Sequence, residues 1–148
     1  AGFPALDLVY TAASGLGVWE NGERLEGRVS SRDGLTGFVS NPVRVWERCP
    51  VGWERLHSSS IFLRFGGNCF GAALVARGCV NFYVDSGLDV YDYAALVPIV
   101  EGMGGVMSDW SGAPLRLGAD GRGSSSDVVA AGSIEHHSEV LSWLGADE

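Results

Sequence analysis

The chain has 148 residues, 46% of them hydrophobic and 19% charged, which suits a single folded domain over residues 1–148 with a sizeable core. Its formal net charge is −8 with no basic run, which argues against nucleic-acid binding, and no apolar run approaches the roughly 20 residues that a membrane helix needs. The sequence contains no lysine, which excludes a Schiff-base lysine and a phosphate-loop lysine.

The first 60 residues predict a β-hairpin-like opening followed by short elements. Asn21-Gly22 is a strong hairpin signal, and Pro42 and Pro50 bound a short helical segment. The predicted elements are strands at 6–13 and 18–20, a short strand at 37–42, a helix at 43–49, and a segment at 50–60 for which helix and loop both stay open.

The middle of the chain alternates strands with helices. Gly66-Gly67 ends one strand, Asn68 caps the helix that follows, and Gly78 stops that helix. Pro98 lies inside a second helical pattern and should bend it. The predicted elements are a strand at 61–65, a helix at 69–77, a strand at 80–84, a helix at 92–101 that ends in glycines 102, 104 and 105, and a strand at 106–110.

The last 30 residues predict an exposed polar loop at 118–127, a buried strand at 128–132 and a terminal amphipathic helix capped by Ser133. The apolar side of that helix is predicted to carry Ile134, Val140, Leu141 and Leu144. Strands that alternate with helices after an antiparallel start indicate an α/β fold, with a layered mixed β-sheet and flanking helices.

Three polar residues are predicted to converge at one edge of the sheet. The helix at 69–77, the turn at Gly78 and the strand at 80–84 return Asp85 to the end where Asn68 begins, and the next helix starts there at Asp92. Helix N-termini present unpaired N–H groups that suit an anion, and Mg²⁺ often takes only one or two protein carboxylates plus a substrate phosphate. The pattern indicates a site for a metal-held anion, with Asp92 as one metal ligand.

The same residues could instead have purely structural roles. Asp92 also fits a plain helix N-cap, a role compatible with metal binding, and Asp85 fits a strand-end acid that faces water. A two-metal hydrolytic site needs several bridging carboxylates, and this chain does not offer enough of them. We interpret His136 and His137, on the terminal helix, as solvent-exposed histidines without a catalytic role.

The cysteines and the first residues bear on the compartment. Cys49, Cys69 and Cys79 are odd in number and lack the paired spacings of a zinc site, so we interpret them as reduced thiols of a cytoplasmic protein. The opening AGFPAL has neither a charged n-region nor an initiator Met, so we expect no secretory signal there.

Residues 91–115, YDYAALVPIVEGMGGVMSDWSGAPL, resemble the C-terminal signature of the inositol monophosphatase family. In that signature an aromatic-Asp pair opens a helix that ends in a small-Gly-Gly turn before a strand and an Asp-rich turn. Residues 63–92 and 2–25 extend the resemblance. Tyr91 in place of the usual Trp, the Gly-Gly-x-Cys stretch and ALVPIVEG are similar to the histidinol-phosphate phosphatase branch.

The resemblance covers essentially all of this chain but only about the C-terminal half of a family member, so it implies the C-terminal domain of the inositol monophosphatase-like sugar phosphatase fold. The other half would carry an upstream Glu and an Asp-Pro-Ile/Leu-Asp-Gly-Thr motif, which this sequence lacks. By the resemblance, Asp92 matches a metal-binding Asp and Asp85 an acid that contacts the leaving group of the substrate.

The resemblance also implies a substrate pocket at the turn before the helix at 69–77. Gly67, Asn68 and Cys69 match that turn, and Arg64 matches a nearby basic position that braces it, although Arg64 also fits an ion pair at the sheet edge. Asn68 departs from the Asp expected in the histidinol-phosphate branch, because an amide cannot pair with a cationic amine as a carboxylate can.

The function implied is Mg²⁺-dependent hydrolysis of a small phosphorylated alcohol, with histidinol phosphate, a compound of histidine biosynthesis, as the first substrate and inositol monophosphate as the second. A homodimer is implied for the full enzyme. The alternative is a noncatalytic fragment or substrate-binding domain without the main metal cluster. We expect the chain alone to be inactive, with the other metal ligands supplied by a missing N-terminal half.

Overall fold

Residues 1–27 and 34–145 are described by a computed structural model. Within these residues, a four-stranded antiparallel sheet has the order β1-β2-β3-β4, and a five-stranded mixed sheet has the order β6-β5-β7-β9-β8. The strands are β1 (Gly2–Phe3), β2 (Leu8–Ala13), β3 (Gly17–Glu20), β4 (Glu23–Leu25), β5 (Thr36–Val39), β6 (Phe62–Phe65), β7 (Phe82–Asp85), β8 (Val106–Ser108) and β9 (Val128–Ala131). The helices are α1 (Pro42–Arg48), α2 (Pro50–Ser59), α3 (Cys69–Ala76), α4 (Val90–Tyr93), α5 (Val97–Gly102) and α6 (Ile134–Leu144).

The predicted hairpin opening is confirmed. Strand β2 pairs antiparallel with β3, and β3 pairs antiparallel with β4. Asn21 and Gly22 both have positive φ, as a tight two-residue hairpin turn requires. The Asn21 side chain also accepts a hydrogen bond from the Val9 amide and donates one to the Asp7 carbonyl, both at 2.8 Å, so it ties the turn to the neighbouring strand.

The mixed sheet has apolar packing on both faces, which makes the fold layered as predicted. One face packs against α3 and α5, which in turn cover the first sheet through residues such as Tyr10 and Val18. The other face packs against α1, α2 and α6 through residues such as Val45, Leu56 and Val140. The order of layers is therefore sheet, helices, sheet, helices.

Three parallel strands determine where a site can form. Strand β5 pairs parallel with both β6 and β7, while β7 and β8 each pair antiparallel with β9. The carboxyl ends of β5, β6 and β7 therefore meet at one edge, and α1, α3 and α4 begin shortly after them. In open α/β sheets this edge is where ligands bind.

The helix predicted from Asp92 is two helices. Helix α4 begins at Val90, with Asp89 at its N-cap position, and α5 begins only at Val97. Pro98 lies in the first turn of α5, where its missing N–H costs nothing, so it starts a helix instead of bending one. The segment at 50–60, for which helix and loop were both open, is helical through Ser59.

Two predictions for the terminal helix are wrong, the exposure of its histidines and the packing of Ile134. Ser133 caps α6 as expected, since its hydroxyl accepts from the His136 amide at 3.3 Å. His137, however, is only 4% exposed, because residues 137, 140, 141 and 144 form one stripe at helical spacing that packs on the sheet. His136 is half-buried, and Ile134 in the first turn is 56% exposed instead of lying on the packed side.

No helix in the described ranges is long and apolar enough to cross a membrane.

Candidate active site

A cleft of about 350 Å³ lies at the carboxyl edge of the parallel strands. It is bounded by α1, by the turn that leads into α3, and by the connection from β7 to α4. The lining side chains come from four separate parts of the sequence and are mostly polar. The lining residues are Arg44, Asn68, Cys69, Tyr83, Gly87, Leu88, Tyr91 and Asp92.

The predicted approach of Asn68 and Asp92 is confirmed by the lining of this cleft. Gly66 and Gly67 both have a φ of +81°, a conformation that brings the chain sharply from β6 into α3. Asn68 occupies the N-cap position of α3, but its side chain makes no capping hydrogen bond there. The side-chain amide of Asn68 is exposed in the cleft and does not cap the helix.

Asp92 is the third residue of α4, and its carboxylate serves the helix and remains accessible. Its Oδ2 accepts a hydrogen bond from the Asp89 amide at 2.9 Å, which is the reverse half of a capping box. Asp92 is exposed. Because a carboxylate offers about four lone-pair sites, one capping bond leaves room for a metal ion.

Asp85 lies behind the cleft wall. It is 2% exposed, and its carboxylate accepts from the Tyr83 hydroxyl at 3.0 Å and from the Ser86 amide at 2.9 Å. Burial raises the pKa of this carboxyl above its usual range. The residue that lines the cleft at this point is Tyr83, which is itself 1% exposed and whose hydroxyl also accepts from Ser40 at 3.3 Å.

Sequence reasoning missed Tyr83, although a signal for it was available. Residues two apart on a strand point to the same face, so Tyr83 and Asp85 of β7 share one face of the sheet. Burial and the nearby Asp85 carboxylate both raise the pKa of the Tyr83 hydroxyl, which keeps it protonated as the donor of the pair.

Arg44 was also missed, and its neighbours in sequence give no signal for it. It lies on α1, and its Nη1 donates to the Gly87 carbonyl at 2.8 Å across 43 positions of sequence. The contact brings the guanidinium to the cleft beside the connection from β7 to α4.

The other predicted site residues are placed as follows. Cys69 lines the cleft at the start of α3, and burial, reinforced by the Asp92 charge, raises the pKa of its thiol, so it stays protonated. Gly67 belongs to the turn before it. Arg64 is exposed on the edge strand β6, where its guanidinium carbon lies 5.8 Å from the Phe62 ring centroid, and it is not brought to the cleft.

The donor groups fit one part of a Mg²⁺ site. Mg²⁺ prefers carboxylate, phosphate and water oxygens, and Asp92 offers an accessible carboxylate in a cleft. Among residues 1–27 and 34–145, no three His, Cys, Asp or Glu side chains are grouped so that they could hold a metal ion together. These residues therefore supply one ligand and leave the others to substrate, water or further protein groups.

Comparison with known proteins gives consistent matches. The sequence model for the inositol monophosphatase family matches residues 1–142. The chain is 33% identical over 109 residues to the chloroplastic bifunctional phosphatase IMPL2 of Arabidopsis thaliana, covering 72% of this chain and 32% of that protein. It is 28% identical over 134 residues to a histidinol-phosphatase of Chlorobaculum parvum, covering 89% and 52% of the two chains.

A solved structure gives the same match at the level of the fold. An inositol monophosphatase from Zymomonas mobilis superposes with a TM-score of 0.81 and 29% sequence identity, covering 96% of this chain and 55% of that one. The chain therefore spans between 32% and 55% of the length of these three proteins.

Proposed function

Since the chain belongs to the inositol monophosphatase family, we propose that it is the C-terminal part of a Mg²⁺-dependent phosphomonoesterase acting on a small phosphorylated alcohol. Histidinol phosphate and inositol monophosphate are the candidate substrates. The observation that carries the proposal is the cleft in which Asp92 lies beside the turn that starts α3. The remaining metal ligands would come from a second half, in the same polypeptide or in a partner chain.

Asp92 would be the metal ligand that this chain contributes. Its hydrogen bond from the Asp89 amide fixes the carboxylate before any ion arrives, so little ordering is needed on binding. When bound, Mg²⁺ would supply charge neutralisation at phosphate and an activated water for hydrolysis.

The rest of the cleft would hold the alcohol part of the substrate. Asn68 offers a donor and an acceptor, and Cys69 offers a small packing surface, at the turn formed by Gly67. Asp85 would act through Tyr83, a residue that lines the cleft and whose hydroxyl it holds. Arg64 lies outside the cleft, so its proposed role is limited to bracing β6, the strand that leads into the turn.

The proposal is tested by Mg²⁺-dependent phosphate release from histidinol phosphate and from inositol 1-phosphate. The 148-residue chain, its Asp92→Asn variant and a Glu54→Gln control, at an exposed position of α2, are assayed in parallel. Release that requires Mg²⁺, survives Glu54→Gln and disappears in Asp92→Asn would support the role of Asp92 and would contradict the need for a second half. No release from any of the three agrees with the expectation that the chain alone is inactive. Release that Asp92→Asn leaves unchanged would contradict the role of Asp92.

A second candidate is a noncatalytic substrate-binding domain. It is favoured by one observation, that the described residues group no three metal-ligating side chains. Under this alternative Mg²⁺ does not raise the melting temperature of the chain, yet inositol 1-phosphate or histidinol phosphate does, because a ligand that binds only the folded state stabilises it.

The proposal extends to assembly and location. We propose a homodimer for the full enzyme; the exposed apolar side chains of Ile61, Phe62 and Phe65 at the edge strand β6 are compatible with burial against a second copy. A cytoplasmic location remains a prediction from the cysteine pattern. Light scattering on the purified protein measures the assembly.

A further inference from the structure

Among the described residues, the side chain of Arg44 is held in the cleft by one hydrogen bond. Its Nη1 donates to the Gly87 carbonyl at 2.8 Å, and Gly87 lies in the connection between β7 and α4. A guanidinium has five N–H donors, so most of its hydrogen-bonding capacity is not used by this contact. In the described part of the chain, the ion pairs of arginines involve Arg48, Arg77 and Arg122, and none involves Arg44.

The space for this guanidinium depends on glycine at position 87. Gly87 has a φ of +74°, and a Cβ built there would lie 2.6 Å from Arg44 Nη1. Any larger residue would be strained and would also push the guanidinium away. The glycine at position 87 therefore lets the guanidinium of Arg44 pack directly against the backbone at the cleft.

The charge balance of the cleft wall follows from these contacts. Asp85, the acid expected to contact the substrate, is buried with its carboxylate committed to Tyr83 and Ser86. Asp92, under the proposed function, is committed to the metal ion. Among the side chains that line the cleft, the charged one that remains available to the alcohol part of a substrate is therefore Arg44, a cation.

We propose that Arg44 selects the substrate class, and that the cleft accepts the phosphate ester of an oxygen-rich alcohol, such as a polyol, in preference to that of an amino alcohol. This inference rests on the proposed function. The spare N–H donors of Arg44 match hydroxyl oxygens, which accept hydrogen bonds. An ammonium group offers only donors and a like charge, so it would meet repulsion at Arg44 and, among the side chains that line the cleft, would find no carboxylate besides Asp92.

The test compares the affinities of two probes for the 148-residue chain in the presence of Mg²⁺. Inositol 1-phosphate and histidinol phosphate are titrated while the backbone amide signals of Asn68, Gly87 and Tyr91 are followed by NMR. The variant Arg44→Gln keeps a donor for the Gly87 carbonyl but removes the charge. Arg55→Gln, at an exposed position of α2, is the matched control.

Inositol 1-phosphate is expected to bind more tightly than histidinol phosphate to the unmodified chain. Arg44→Gln should weaken inositol 1-phosphate by about three- to tenfold, the size expected for one solvent-accessible charge-assisted hydrogen bond, and should not weaken histidinol phosphate. Arg55→Gln should change neither affinity. A variant that loses affinity for both probes by the same factor would show that Arg44 only supports the loop, and would overturn the inference.

Titrations of the same probes without Mg²⁺ and with the Asp92→Asn variant separate this inference from the proposed function. Arg44-dependent preference for inositol 1-phosphate that is the same without Mg²⁺ and in Asp92→Asn would support the inference and contradict the proposed metal role of Asp92. Binding that requires Mg²⁺ and Asp92, with an unchanged substrate preference in Arg44→Gln, would do the reverse. Absence of any shift at the three cleft amides with inositol 1-phosphate would contradict the inference.

Discussion

Asp92 has a structural role that is compatible with its proposed role as a metal ligand. Its hydrogen bond with the Asp89 amide stabilises the start of α4, a helix of only four residues that has little stability of its own. The same bond fixes the carboxylate in the cleft. The two readings of Asp92 from the sequence, helix cap and metal ligand, are therefore compatible, although the cap position itself belongs to Asp89.

The buried carboxyl of Asp85 should make the stability of the protein depend on pH. Because burial raises its pKa in the folded protein, the folded state holds this proton more tightly than the unfolded state does. Its contribution to stability is therefore full below the ordinary pKa near 3.9 and is lost as the pH rises through the raised folded value. We expect Asp85→Asn to remove that loss, so the variant should gain stability relative to the unmodified chain as the pH rises above about 4.

Urea unfolding at a series of pH values measures this effect. Asp7→Asn, at an exposed aspartate, is the control and should follow the unmodified chain at every pH. An Asp85→Asn variant whose stability falls in parallel with the unmodified chain would contradict the assignment of the pH dependence to Asp85.

At the scale of elements, α6 packs a histidine where an apolar residue is usual. His137 Nε2 lies 2.8 Å from the Ser108 hydroxyl of β8, and burial lowers the pKa of its imidazole. The hydrogen bond makes the neutral ring acceptable inside the core. A periodic pattern alone could not reveal this, because Ser108 and His137 are 29 residues apart.

The packing of α6 should therefore weaken in acid. A lowered imidazole pKa contributes stability that is present above the unfolded value near 6.5 and is lost as the pH falls through the folded value. We expect His137→Gln, which keeps a polar partner for Ser108, to lose less stability than the unmodified chain between pH 7.5 and pH 5. Urea unfolding with exposed His57→Gln as control measures this; equal losses in all three proteins would contradict it.

The substitution Pro98→Ala distinguishes one bent helix from two separate helices. In the first turn of α5 its fixed φ suits the backbone, so Pro98→Ala should destabilise the protein by about 0.4–1 kcal/mol through the entropy of the unfolded chain. A proline inside one continuous helix would cost about 3 kcal/mol, and replacing it would stabilise the protein. The sign of the change in urea unfolding distinguishes the two.

At the scale of the whole molecule, local patterns predicted most elements but not the side-chain contacts that form the cleft. Turn signals such as Asn21-Gly22 and Gly66-Gly67 lie where the chain turns, because glycine and asparagine tolerate positive φ. Alternation of strands with helices predicted the layered mixed sheet and the approach of Asn68 to Asp92. The contact of Arg44 with Gly87 is set by tertiary packing, which no local pattern encodes.

The cleft lies where three parallel strands end, and this explains how residues from distant segments meet there. The loops after β5, β6 and β7 respectively lead to Arg44, to Asn68 and to Asp92. A substitution that shifted any of these strands would displace one wall of the cleft. The central claim is that a divalent metal ion binds this chain at Asp92.

That claim is tested most directly by paramagnetic broadening of backbone amide signals on titration of the 148-residue chain with Mn²⁺ in place of Mg²⁺. We predict broadening centred on Asn68, Gly87 and Asp92, retained in Glu54→Gln and lost in Asp92→Asn. Broadening that spreads over the acidic surface without preference for the cleft, or that survives Asp92→Asn, would contradict the account.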